Sequence, residues 1–229
     1  MDEVKIIEVK QGVFEENNKD ADALRKKLKE EHTFLLNLMS SPGSGKTSTL
    51  LALAREFVGK INWAVMEADI DSAVDAETML QAGIRSIQIH TGGMCHLDAQ
   101  MTAQGIEELG IEDTDLVILE NVGNLVCPAE FDTGACKNMT ILSVPEGHDK
   151  PLKYPLMYET CDLLVVNKID VMEYFDFDRE KVIEYAKMRN PNIDILFVSA
   201  KTGEGIDILK EKIRNMYHLG KIGQKDISG

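Results

Sequence analysis

No run in the 229-residue chain approaches the roughly eighteen consecutive apolar residues that a membrane helix requires, so no spanning segment is expected. The opening stretch, MDEVKIIEVKQGVFEENNKD, has neither the basic start nor the apolar centre of a secretory leader, and a cytoplasmic protein is the expectation. Positive charge is scarce as well. Lys and Arg total 25 against 39 Asp and Glu, a formal charge of −14, and a surface of that sign repels a phosphodiester backbone. Nucleic-acid binding is therefore set aside. Cysteine is confined to Cys95, Cys127, Cys136 and Cys161. In a reducing compartment these are not read as structural disulfides, which leaves metal binding or simple burial to explain them. Internal repeats, low-complexity segments and a clear linker are also missing, so one main domain is the simplest organisation.

What is present is a large apolar fraction, 44%, enough to supply a core for a chain of this length. It is distributed in seven short runs, TFLLNLM, INWAVME, SIQIH, DLVILEN, MTILSVP, DLLVVNK and DILFVSA, separated by amphipathic segments. That alternation predicts an α/β fold with a mostly parallel sheet covered by helices on both faces. Ligands of such sheets collect at the carboxyl ends of the strands, and the informative residues fall there. Residues 19–31, KDADALRKKLKEE, place Leu24 and Leu28 on one face of a charged helix that packs on the main body and carries no visible chemistry. The expected divisions are an N-terminal segment and helix over 1–32, the main domain over 33–219, and a frayed tail over 220–229.

The first run leads into SSPGSGKTST, which fits the phosphate-loop pattern of a P-loop NTPase from Gly45 onward but has Ser40 where the pattern expects glycine. Gly43 and Gly45 allow backbone angles that turn successive N–H groups of Gly43, Ser44, Gly45 and Ser48 inward around phosphate oxygens. Lys46 would neutralise the β- and γ-phosphates, and Thr47 would offer its hydroxyl to Mg²⁺ at the positive end of the following helix. Ser40 closes the turn at the strand end, where a small side chain fits if its φ stays negative.

The base is read from two later strand ends. In NKID, Asp170 can accept both the N1–H and the exocyclic amine of guanine, donors that adenine does not offer in that arrangement, while Asn167 flanks the site and the stem of Lys168 covers the ring. In VSAK, the backbone N–H of Ala200 can meet the guanine O6, beside Ser199 and Lys201. Together these favour GTP over ATP. The γ-phosphate sensor is expected in DLVILENVGN, with Glu120 holding Mg²⁺ or its water and the Gly123 N–H meeting the phosphate. In EADIDSAVDAE, Asp69, Asp71 and Asp75 follow another strand, and Asp69 and Asp75 are assigned to the Mg²⁺ sphere. None of the six arginines falls in these motifs, so slow intrinsic hydrolysis is expected, on the order of 10⁻⁴ to 10⁻² s⁻¹.

HTGGMCHLDAQ places Cys95 beside His96, and ENVGNLVCPAE adds Cys127. Neighbouring residues on a regular helix diverge by about 100°, so Cys95 and His96 can converge only if one lies in the irregular turn that Gly92 and Gly93 permit. Two thiolates and an imidazole suit Zn²⁺ or Ni²⁺ and leave a fourth position open, although two buried core cysteines and a helix-capping histidine would give the same spacing. Cys136 and Cys161 are assigned to burial.

The strings GSGKT, DAE, TGGMCHLDA, ENVGNLVCPAEFD, NKID and SAKTGEG together resemble the HypB family, nickel-insertion GTPases of nickel–iron hydrogenase maturation, over nearly the whole chain from about residue 19. The resemblance implies that Cys95, His96 and Cys127 form a metal site at a homodimer interface, occupied by Zn²⁺ or Ni²⁺. It also implies GTP-dependent dimerisation in which Lys153 reaches the partner's nucleotide, and delivery to a hydrogenase large-subunit precursor through an accessory nickel-maturation protein. The chain departs from some relatives in having neither a Cys-rich N-terminal nickel motif nor a His-rich stretch, so no separate nickel site is expected there. The urease nickel GTPases differ at the metal motif, a Cys-Pro-His where this chain has Cys127-Pro128-Ala129. A metal store with vestigial hydrolysis would also account for the thiols, and a P-loop kinase for the phosphate loop. Cys127 lies four residues past Gly123, at most roughly 14 Å away, so a moving γ-phosphate sensor would link metal affinity to nucleotide state.

Overall fold

The seven apolar runs become seven strands: β1 Phe34–Ser40, β2 Trp63–Asp69, β3 Arg85–His90, β4 Leu116–Glu120, β5 Lys137–Ser143, β6 Leu163–Asn167 and β7 Asp194–Phe197. The computed structural model describes residues 9–69 and 74–222, with side chains over 13–68 and 78–218. The strands form one sheet in the order β3-β2-β4-β1-β5-β6-β7, and every pairing is parallel. β1, β4 and β6 are buried along their full length, which explains their unbroken apolar runs: helices cover both sides, so no residue alternates toward water.

The helices are α1 Val9–Glu30, α2 Lys46–Phe57, α3 Val74–Gln81, α4 Ala99–Leu109, α5 Cys127–Glu130, α6 Lys150–Lys153, α7 Pro155–Glu159, α8 Arg179–Arg189 and α9 Ile206–Ile222. Successive strand residues serve opposite layers. Leu36, Leu38, Ile118 and Val165 pack with Leu50, Leu53 and Phe57 of α2 and Leu209 and Ile213 of α9. Leu35, Met66, Val117 and Leu119 pack with Leu24 and Leu28 of α1 and Ile106 and Leu109 of α4. A third cluster joins Leu142, Leu164 and Val166 to α7 and α8 through Met157, Tyr158, Val182 and Ala186. Each such buried Leu or Val contributes about 1.5–3 kcal/mol against its exposed state. None of the helices among the described residues is long and apolar enough to cross a membrane.

α1 starts ten residues before the predicted position 19. Phe14, Asn17, Ala21, Leu24 and Leu28 recur every three or four residues and form its inner stripe, but Asn17 interrupts the apolar pattern, so the first turns look polar in sequence. At the other end α9 continues to Ile222, into the segment expected to fray, and residues 223–229 lie outside the described residues. β1 is flanked by β4 and β5, so the loops after these three strands meet above the centre of the sheet, at the point where the order of connection reverses.

Candidate functional site

β1 ends at Ser40, and the chain turns through Gly43 (φ 73°) and Gly45 (φ 101°) into the first turn of α2. Both angles lie in the left-handed region that glycine tolerates. Gly45 is required twice over, because a Cβ there would stand 2.5 Å from Asn167 Nδ2. Ser40 does not adopt a positive φ, as its place in a strand requires. Its Oγ donates to the Ser41 carbonyl at 2.8 Å and accepts from Lys46 Nζ at 3.1 Å. Lys46 Nζ also lies 4.0 Å from Glu120 Oε1. Ser41 Oγ donates to Glu146, whose other oxygen accepts from the Ser143 N–H and hydroxyl at 2.7 Å each, tying the loop to the end of β5.

A cavity of about 570 Å³ opens over this loop, lined by Pro42, Gly43, Gly45, Lys46, Thr47, Ser48, Glu67, Glu120 and Gly123. Glu67 and Glu120 face each other in register on β2 and β4 and are both buried. Sequence reasoning misses Glu67, although a carboxylate closing the apolar run INWAVME is a usable signal. Asp69 is the last residue of β2 and Asp75 lies in α3, but their side chains, like the whole of Asp71, lie outside what is described. Gly123 is packed so closely on Pro42 that a Cβ would meet its ring nitrogen at 3.2 Å, which puts the end of β4 in contact with the phosphate loop.

A second cavity of about 500 Å³ shares Gly45, Ser48 and Lys168 with the first and adds Asn167, Asp170, Ala200 and Lys201, so the two form one continuous groove. Asn167 is its organiser: Nδ2 donates to Ser44 O at 3.0 Å, and Oδ1 accepts from Lys168 N at 2.8 Å and Ala200 N at 3.1 Å. The Ala200 N–H, expected to be open to a base oxygen, is thus directed at Asn167. Lys168 adopts a left-handed φ of 63° and reaches Gly43 O at 2.6 Å, which lays its stem along the groove. Ser199 Oγ donates to Asp170 Oδ1 at 2.7 Å and fixes that carboxylate. Lys153 lines neither cavity. It is exposed on α6, paired with Asp149 at 2.6 Å.

Cys95 and Cys127 line neither of these cavities. Cys95 and His96 both sit in the irregular loop between β3 and α4, because α4 starts only after its cap, Asp98, whose carboxylate accepts from Met101 N at 2.8 Å. Gly92 and Gly93 supply the left-handed turn, at φ 62° and 90°. Cys127 opens the short α5. The neighbouring Cys95 side chain is the main cause holding the Cys127 thiol above its ordinary pKa, while Asn124 Nδ2, 3.5 Å away, pulls the other way. His96 Nδ1 lies 4.0 Å from Cys95 Sγ, and burial holds its pKa below the usual value, which favours the neutral ring with a free nitrogen lone pair. The imidazole stacks on Phe131 with centroids 3.8 Å apart, and Phe131 in turn contacts Phe14 of α1 at 5.0 Å. Among the described residues no three His, Cys, Asp or Glu side chains gather closely enough to enclose an ion. Cys161 is a core residue as expected, its thiol pushed by burial to about 12, whereas Cys136, just before β5, is exposed.

α1, expected to carry no chemistry, holds this loop. Asn17 donates to Asp132 O at 2.9 Å and accepts from Ala99 N at 2.9 Å, and Arg25 pairs with Asp132 at 2.5 Å. Asn121 forms the other link. Its Oδ1 accepts from Val122 N at 2.9 Å and from Leu97 N at 3.3 Å, joining the end of β4 to the residue after His96.

A phosphate loop, an Asn-Lys-x-Asp strand end and a buried acidic pair on one parallel sheet define a P-loop nucleotide-binding protein. A family model described as "CobW/HypB/UreG, nucleotide-binding domain" matches residues 34–197. Hydrogenase maturation factor HypB of Escherichia coli (strain K12) is 42% identical over 207 residues, 90% of this chain and 71% of that protein. The crystal structure of HypB from Helicobacter pylori in complex with nickel superposes with a TM-score of 0.85 at 35% identity, covering 90% of this chain and 97% of that one. HypB from Archaeoglobus fulgidus gives 0.82 at 35% identity, covering 88% and 98%. The chain belongs to the HypB family of hydrogenase maturation factors, which are GTPases.

Proposed function

We propose that the protein couples GTP hydrolysis to the binding and release of nickel, or zinc in its place, and so supports nickel insertion into a hydrogenase large-subunit precursor. In this reading Asp170 selects guanine, with Asn167, Lys168, Ser199, Ala200 and Lys201 shaping its pocket. The N–H groups of Gly43 to Ser48 and the Lys46 ammonium take the phosphates. Thr47 and Glu120, with Asp69 and Asp75, hold Mg²⁺, which neutralises charge developing on the transferred phosphoryl group. Cys95, His96 and Cys127 hold the transported ion. Sulfur and imidazole donors suit Ni²⁺ and Zn²⁺, and the proximity of the two thiols supports the assignment. A pair of thiols with one adjacent imidazole leaves the coordination shell incomplete, in keeping with a homodimer that shares metal across its interface. The nickel complex of the Helicobacter pylori relative points the same way. The exposed Lys153 lies outside its own groove, in keeping with a role at the partner's nucleotide. An accessory nickel-maturation protein and the cytoplasm complete the proposed setting.

The observation that carries the reading is the Asn121 side chain, which accepts hydrogen bonds from the phosphate-sensing segment and from the metal loop at once. A shift of Gly123 on loss of the γ-phosphate then reaches His96 through Leu97, and Cys127 through Asn124. Titrating Ni²⁺ and following thiolate-to-nickel charge-transfer absorption tests the site. Wild-type protein should show the band and Cys127→Ala should lose it; an unchanged band in Cys127→Ala would remove the metal assignment.

A further inference from the structure

Ser40 replaces the glycine that opens the usual phosphate-loop pattern, and its side chain is fully buried. Its single hydroxyl hydrogen is spent on the Ser41 carbonyl, so the oxygen faces Lys46 purely as an acceptor. The Lys46 ammonium has three N–H donors. One goes to Ser40 at 3.1 Å, and Glu120 Oε1 stands 4.0 Å away. A lysine side chain that is free to rotate loses conformational entropy when it is fixed on a ligand. A glycine offers no side-chain acceptor to reduce that cost.

We propose that Ser40 is a positioning residue for the GTPase reaction: its hydroxyl holds the Lys46 ammonium over the phosphate loop, ready for the β- and γ-phosphates. The proposal rests on the reading that the groove takes a guanine nucleotide. One N–H of Lys46 stays with Ser40, and the remaining two serve the phosphate oxygens. The effect is therefore confined to nucleotides long enough to meet Lys46. GDP and GTP benefit, and GMP does not. A serine that only shaped the turn through Ser41 would affect all three alike.

The test is equilibrium binding of GMP, GDP and a non-hydrolysable GTP analogue, with Mg²⁺, to wild type, Ser40→Ala, Ser40→Thr, Lys46→Ala and the Ser40→Ala/Lys46→Ala double variant. Ser40→Ala should weaken GDP and the triphosphate about tenfold, the effect of losing one charge-assisted hydrogen bond, and leave GMP within about twofold. Ser40→Thr, which keeps the hydroxyl, should recover most of the loss. In the Lys46→Ala background, Ser40→Ala should have no further effect. Equal losses for GMP and GDP, an undiminished loss in the Lys46→Ala background, or no loss at all would each overturn the proposal. Wild-type protein that bound no guanine nucleotide would instead overturn the reading of the groove on which it stands.

Discussion

The two ends of the β4 segment differ in how far one chain completes them. On the nucleotide side, Asn167 alone joins the phosphate loop, the Asn-Lys-x-Asp turn and the Ser-Ala-Lys turn, and Lys168 and Ser40 fix the remaining cations and carbonyls. On the side proposed for the metal two thiols are neighbours, but the imidazole is held by an aromatic ring. A prebuilt cradle binds its ligand with little ordering cost, whereas a half-built one waits for a second contribution. The contrast is what the proposed function asks for, a GTP site that works as a fixed input and a metal site that opens to give up its ion.

Substitutions can break this contrast from either end. Lys46→Ala should have the largest effect, lowering GTP turnover by about 10² to 10³ as it removes the cation facing the developing phosphate charge, measured by multiple-turnover phosphate release. Asn124→Ala should leave the GTPase rate within about twofold and weaken Ni²⁺ affinity about 10- to 100-fold, since Asn124 touches Cys127 and not the groove. Native-state alkylation sharpens the comparison further. Cys95 and Cys127, half-exposed, should react with iodoacetamide and be protected by Ni²⁺, while Cys161, buried with its thiol at about 12, should react only after unfolding. The smallest effect is expected for Asn17→Ala, which removes two hydrogen bonds between α1 and the metal loop. It should cost about 1–3 kcal/mol in urea unfolding, because the Asp132 carbonyl and Ala99 N–H are left without those partners.

Much of this arrangement is legible in sequence. All seven strands follow from apolar runs, and the residues named at the ends of β1, β4 and β6 do line one groove. What the sequence hides is polar and non-local. Asn17 looks like a break in a helical stripe, yet the break is the residue that ties α1 to Asp132 and Ala99. Asn121 sits inside a recognised motif, but its link to Leu97 spans 24 residues and depends on how β4 stands beside the β3–α4 loop. Phe131 on His96 depends on two loops and a helix meeting, which no spacing rule encodes. Glu67 is hidden differently, as a charge at the end of an apolar strand whose register with Glu120 only the folded sheet reveals.

The most direct measurement is Ni²⁺ affinity in the presence of GDP and of a non-hydrolysable GTP analogue, for wild type and Asn121→Ala. The account predicts at least about a fivefold difference between the two nucleotides in wild type, the lower end of ordinary coupling between sites, and a ratio near one in Asn121→Ala. Equal affinities in wild type, or a nucleotide dependence that survives in Asn121→Ala, would contradict it.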